Sequence, residues 1–170
     1  MFRKFASLAV FGIFSFCMLA DNYYVAVDKN GKVYDDAASK YVTLNERNNE
    51  VTIIPGMVFK ALDRKPGVVM IEYSPGLRAF IDEKITSPGS QVPSPGTYPV
   101  VNNKALQLTA EKVGDGKWTA RVGNASYEGI LQDNNIIVFY DNSHNAAYSL
   151  VDFGSGPIAI SYDNNVTHFF

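Results

Sequence analysis

The sequence predicts an all-β protein, an antiparallel meander that forms a sandwich or a small barrel. Three observations carry this. Apolar residues come in runs of four to eight, broken by Gly, Pro, Asn and Asp, which is the pattern of strands and turns. No stretch holds a long 3.6-residue apolar period of the kind a packed helix needs. In the second half the expected strands are joined by connections of a few residues, which favours pairing of sequence neighbours.

The first element is not part of that fold. Residues 1–20 read MFRKFASLAVFGIFSFCMLA, with Arg3 and Lys4 ahead of an uncharged apolar run. This is the arrangement of a secretory signal peptide, with the cut expected between Ala20 and Asp21. Met18 at the −3 position is larger than the usual small residue. The run from Phe5 to Ala20 falls short of the roughly 20 residues that span a bilayer comfortably. Cys17 opens an alternative, a lipid-modified cysteine anchoring the chain as a lipoprotein, although Phe16 directly before it fits that motif poorly. Both readings expect export: secreted or periplasmic in the first, membrane-anchored in the second. Loss of residues 1–20 takes Arg3 and Lys4 away and moves the net charge from −2 to −4, with 13 basic against 17 acidic residues. It also removes the single cysteine, so the exported domain has to be held by its core alone.

Residues 21–86 form the first expected β unit. Residues 34–40 suit one helical turn, capped by Asp35 or Asp36. Strands are expected at 23–27, 41–44, 51–54, 57–62, 68–73 and 77–81. Pro55-Gly56, Pro66-Gly67 and Pro75-Gly76 punctuate them, since proline fixes φ and glycine admits positive φ. Residues 67–82 read as a hairpin with Val69, Ile71 and Tyr73 on one face and Val68, Met70 and Glu72 on the other. Residues 87–99, SPGSQVPSPGTYP, are dense in proline and lack apolar periodicity, which predicts a linker or extended loop. Residues 100–170 form the second unit, with strands expected at 105–113, 117–122, 125–131, 136–140, 147–153, 157–162 and 166–170. Leu108 and Ala110 alternate with Thr109 and Glu111, and Trp118, Ala120 and Val122 share a face. The chain is therefore expected as one β domain or as two small β subdomains. The clusters at Asp133, Asp141 and Asp163 follow strands at unequal spacing, so turn chemistry explains them better than a repeat.

Few residues suggest chemistry. His144 and His168 sit in polar turns and near the C-terminus; with Asp141 or Asp163 they form the only metal combination the exported chain offers, and solvent-facing loop histidines are the simpler reading. The Asp-Asn clusters lack the D-x-D-x-D-G pattern of a calcium loop. There is no G-x-S-x-G, and Gly154-Ser155-Gly156 reads as a turn. Glu72, Asp82 and Glu83 around one hairpin, and Glu111 and Glu128 in the second half, offer carboxylate pairs, although a solvated sheet face produces the same residues. No phosphate loop is present and no cofactor is expected. Asn124-Ala125-Ser126 and Asn165-Val166-Thr167 are glycosylation sequons at Asn124 and Asn165, relevant in a eukaryotic host. The terminal Phe170 also occurs in outer-membrane barrels, but such strands run to about ten residues.

The acidic balance argues against nucleic acid as partner, and the exported chain has no stretch long enough for a transmembrane helix. Ten tyrosines suit both strands and binding faces. The expectation is an exported, non-enzymatic β domain that binds a protein or a glycan. A small barrel carrying an apolar molecule is the alternative, and a small hydrolase using loop carboxylates or His144 is a third.

Overall fold

A computed structural model describes residues 23–34, 52–74 and 76–162. The leader with Cys17, Ala20 and Asp21, the turn at 35–40, the strand at 41–44, and Asp163, Asn165, His168 and the last expected strand lie outside the described residues.

The described chain is all-β and antiparallel, in two subdomains. The first contains β1 (Tyr24–Val27), β2 (Gly31–Lys32), β3 (Thr52–Ile53), β4 (Val58–Lys65), β5 (Val68–Ser74), β6 (Leu77–Asp82) and β7 (Thr86–Ser87). Five of these form a sheet in the order β6-β5-β4-β1-β7, and β2 pairs with β3. The 67–82 hairpin is as expected: Val69, Ile71, Ala79 and Ile81 are fully buried on one face. Gly67 takes the positive φ of 79° that lets β4 fold back on β5 after Pro66. Val25, Val27, Phe59, Val33 and Ile53 complete this core.

The second subdomain is a seven-stranded meander that nearly closes into a barrel. Its strands are β8 (Gly96–Pro99), β9 (Gln107–Gly114), β10 (Lys117–Val122), β11 (Ala125–Leu131), β12 (Ile137–Tyr140), β13 (Ala146–Asp152) and β14 (Pro157–Ser161). Each pairs with its sequence neighbour. The gap between β8 and β14 is bridged just beyond β8. Val100 meets Ala159 in a parallel bridge, and the Val101 N–H donates to the Ala159 carbonyl at 2.9 Å. The Asn102 amide then stands in for a peptide group: its Nδ2 donates to the Ser161 carbonyl and its Oδ1 accepts from the Ser161 N–H, both at 2.9 Å. A sheet whose ends meet exposes little unpaired edge.

The inward face of the barrel is a buried apolar cluster. Leu108, Ala110, Trp118, Ala120, Val122, Ile137, Phe139, Leu150 and Ala159 point inward and are buried. Gly129 is the tightest point: a Cβ there would sit 2.5 Å from Phe139 Cε1 and 2.9 Å from Trp118 Cβ. Glycine is required because the Phe139 ring and the Trp118 Cβ already occupy the side-chain position.

The outer wall of the last three strands carries the first subdomain. Ile136, Val138 and Val151 pack against Tyr24, Ala26 and Val58, and Ile160 joins the core of the five-stranded sheet. This explains why β12 and most of β13 are buried on both faces instead of on alternate residues. Polar groups tie the seam. Tyr162 Oη accepts from the Val58 N–H at 2.8 Å and lies 2.9 Å from Ser149 Oγ, and Tyr140 Oη donates to Tyr24 Oη at 3.2 Å. Burial raises the pKa of both Tyr162 and Tyr24 well above the phenolic range.

The Pro-rich stretch at 87–99 differs in detail from a free spacer. Its last four residues are β8, paired with β9, and Thr97 and Thr109 share a hydroxyl hydrogen bond at 2.9 Å. Its earlier part is fastened to the barrel: the Gly89 N–H donates to Asn134 O at 2.9 Å, and the Ser90 N–H donates to Asp152 O at 2.7 Å. An edge strand with one backbone partner tolerates glycine and proline, so its sequence resembles a loop.

Candidate functional site at one end of the barrel

An up-and-down meander sends alternate connections to opposite ends. One end gathers residues 88–95, the β9–β10 turn, residues 132–136 and residues 153–156. Several of its polar side chains are engaged in the fold, while Asn134 Oδ1 is buried without a hydrogen-bond partner. Asn134 Nδ2 donates to Tyr24 O at 2.7 Å and Asn135 Nδ2 donates to Gly89 O at 2.9 Å. Asp152, buried where β13 ends, accepts from Gln91 Nε2 at 2.7 Å and from the Gly154 and Gly156 N–H groups at 2.7 and 3.1 Å. The Gln91 bond foremost, with those two amides, holds its carboxyl below the usual range.

The opposite end gathers residues 100–106, the β10–β11 turn at Gly123-Asn124 and residues 141–145. Five asparagines stand on these three loops: Asn102, Asn103, Asn124, Asn142 and Asn145. Asn102 closes the barrel. Asn103 accepts weakly from the Ala105 N–H at 3.3 Å, and Asn145 donates to Asp141 at 3.3 Å. Asn124 and Asn142 are exposed at the tips. Asp141 organises the third loop: its Oδ1 accepts from the Ser143 and Asn145 N–H groups at 2.8 and 2.9 Å, and His144 follows at a left-handed φ of 61°. The Asn145 backbone bond, with further bonds from Asn145 and Ser143 and the nearby His144, lowers the Asp141 pKa.

Inside this mouth, at the third residue pair from the β10–β11 turn, stands Tyr127, half-buried, with its ring edge-on to Tyr148 at 4.9 Å and 71°. Strand periodicity places both inward, Tyr127 on the face of Gly129 and Tyr148 on the face of Leu150. Tyr148 is buried and Tyr127 partly exposed, so the pair closes over the barrel core at this end.

The carboxylates considered from sequence do not converge. Glu72 accepts from the Gly76 N–H at 2.9 Å, while Asp82 lies at the other end of the same hairpin beside Lys84 at 3.6 Å. Glu83 pairs with Arg64 at 3.2 Å on the surface. Glu111 and Glu128 face solvent on the barrel's outer wall, one on each side of Thr119, two strand spacings or about 10 Å apart. Ser155 is exposed in the β13–β14 loop, and His144 is exposed on the 141–145 loop with Asp141. Among the described residues no three His, Cys, Asp or Glu side chains form a group able to hold a metal, and no helix is long and apolar enough to cross a membrane.

Of the sequence candidates, the structure places Asn124, Asp141 and His144 at one end. It adds Asn102, Asn103, Asn142, Asn145 and Tyr127, which no sequence motif singles out. The signal that finds them is topological: once a meander is expected, every second loop must share an end. No family model, curated protein or solved structure matches the chain.

Proposed function

We propose that the chain is an exported, non-enzymatic β domain that binds a protein or a glycan through the loop end formed by residues 100–106, 123–124 and 141–145. The observation that supports it is the contrast between the close packing around Gly129 and the exposed loops of this rim. A carrier needs a cavity of about 300 Å³ or more, whereas Gly129 has no room for one carbon beside Phe139 and Trp118. A hydrolase needs convergent groups, and the carboxylates are dispersed over hairpin ends and an outer wall. What remains is a rigid barrel holding exposed Asn124 and Asn142 above the Tyr127–Tyr148 pair, and loops on a rigid scaffold are where binding concentrates. Export rests on residues 1–20, and lipidation at Cys17 is the alternative form of it. The test is affinity capture with the tagged full chain from envelope extract, alongside native mass spectrometry. A specific partner with the bare protein mass is expected. A co-purified apolar ligand with no captured partner would overturn the proposal in favour of the carrier.

A further inference from the structure

We infer that the ligand of this end is a neutral glycan, a chain of hexose or N-acetylhexosamine units; the inference rests on the binding reading above and narrows its ligand. A sugar presents hydroxyls that both donate and accept, and flat patches of C–H. The side chains that match it are amides, which carry a donor and an acceptor in one plane, and aromatic rings, which offer an apolar face with a polar tip. This end holds both. Asn124 and Asn142 stand exposed at two loop tips, and Asn103 keeps its Nδ2 donor after its Oδ1 accepts the local turn bond. Tyr127 is fixed edge-on against Tyr148, so its ring is ordered before any ligand arrives.

The charge balance favours a neutral ligand. Asp141 is the one carboxylate on these loops and already accepts from Ser143 and Asn145. Lys104 is the one lysine or arginine. Neither sign forms a patch that would select a charged peptide or an anionic lipid. At the opposite end the Asn134 and Asn135 Nδ2 groups already donate to Tyr24 O and Gly89 O, although Asn134 Oδ1 is buried without a partner. The other surface cluster, Arg64 with Tyr23 and Glu83, satisfies its own groups.

The test is a glycan array of neutral and acidic oligosaccharides probed with the full chain, the double variant Asn124→Ala/Asn142→Ala, and Tyr127→Leu. The asparagines are exposed loop residues, so the double variant keeps the wild-type melting temperature. It is expected to weaken binding to a neutral glycan about tenfold, the effect of roughly one net hydrogen bond. Tyr127→Leu, whose fold is checked by the same melt, is expected to weaken it further. Binding confined to acidic glycans overturns the inference, as does neutral-glycan binding unchanged in the double variant. Capture of an envelope protein that the double variant abolishes, with no glycan bound, overturns the glycan inference and leaves the binding reading standing. No variant-sensitive binding of any kind overturns both.

Discussion

Gly129→Ala is expected to destabilise the protein, although strand propensity alone predicts the opposite. Glycine inside a strand costs about 0.5–1 kcal/mol relative to alanine, so an unopposed substitution stabilises by that amount. The surroundings reverse the sign. The new Cβ would lie 2.5 and 2.6 Å from Phe139 Cε1 and Cδ1 and 2.9 Å from Trp118 Cβ. Carbon atoms settle at about 3.5–4.0 Å, so the Phe139 ring has to retreat by about 1 Å. It is fully buried and has no solvent to swing into. Overpacking of this kind costs about 1–3 kcal/mol, leaving a net loss of about 1–2 kcal/mol. For a chain of this size that lowers the Tm by about 2–8 °C. Urea unfolding followed by the fluorescence of the single tryptophan, Trp118, measures it, with m unchanged. Phe139→Leu in the Gly129→Ala background should recover part of the loss, with a coupling above about 0.5 kcal/mol. A neutral or stabilised Gly129→Ala would mean slack in the interior and would restore the carrier reading.

Tyr162→Phe orphans the buried Val58 N–H and should cost about 1–3 kcal/mol, read by denaturant midpoint. Burial raises the Tyr162 and Tyr24 pKa values, so their contribution is complete below the ordinary tyrosine pKa near 10 and is lost as pH rises above it; a melt series above pH 9 should show that fall, reduced in Tyr162→Phe. Asp152 has the opposite sign, because its pKa is lowered in the fold: its contribution is present above the ordinary carboxylate pKa near 4 and is lost on further acidification. Asp152→Asn should therefore lower stability at neutral pH and flatten the melting-temperature profile below pH 4. Intact mass of the chain secreted from a host is expected to begin at Asp21; retention of residues 1–20, or a lipid adduct at Cys17, would exclude that cut.

Much of the fold was legible because strand signals are local. The alternation of Trp118, Ala120 and Val122, and of Val69 and Ile71, reports directly which side is buried. β8 was not legible, since an edge strand ending at Pro99 has one backbone partner and little side-chain burial to leave a pattern. The closure through Asn102 was hidden for another reason: a side-chain amide replaces a peptide group, and no strand periodicity records that. At the candidate site, Asn124 and Asp141 were visible as turn residues, but their shared location follows from the order of the meander and not from any motif. The Tyr127–Tyr148 contact joins β11 to β13, which the local sequence of neither strand reveals.

On the proposed reading, recognition happens on the rim at residues 100–106, 123–124 and 141–145 and not within the barrel. The decisive measurement is hydrogen exchange of the full chain, alone and saturated with the strongest neutral oligosaccharide from the array. Slowed exchange confined to peptides covering those three loops and Tyr127 is the predicted result. Protection centred on the interior strands around Phe139 and Leu150, or on the five-stranded sheet, with the three loops unchanged, would contradict it.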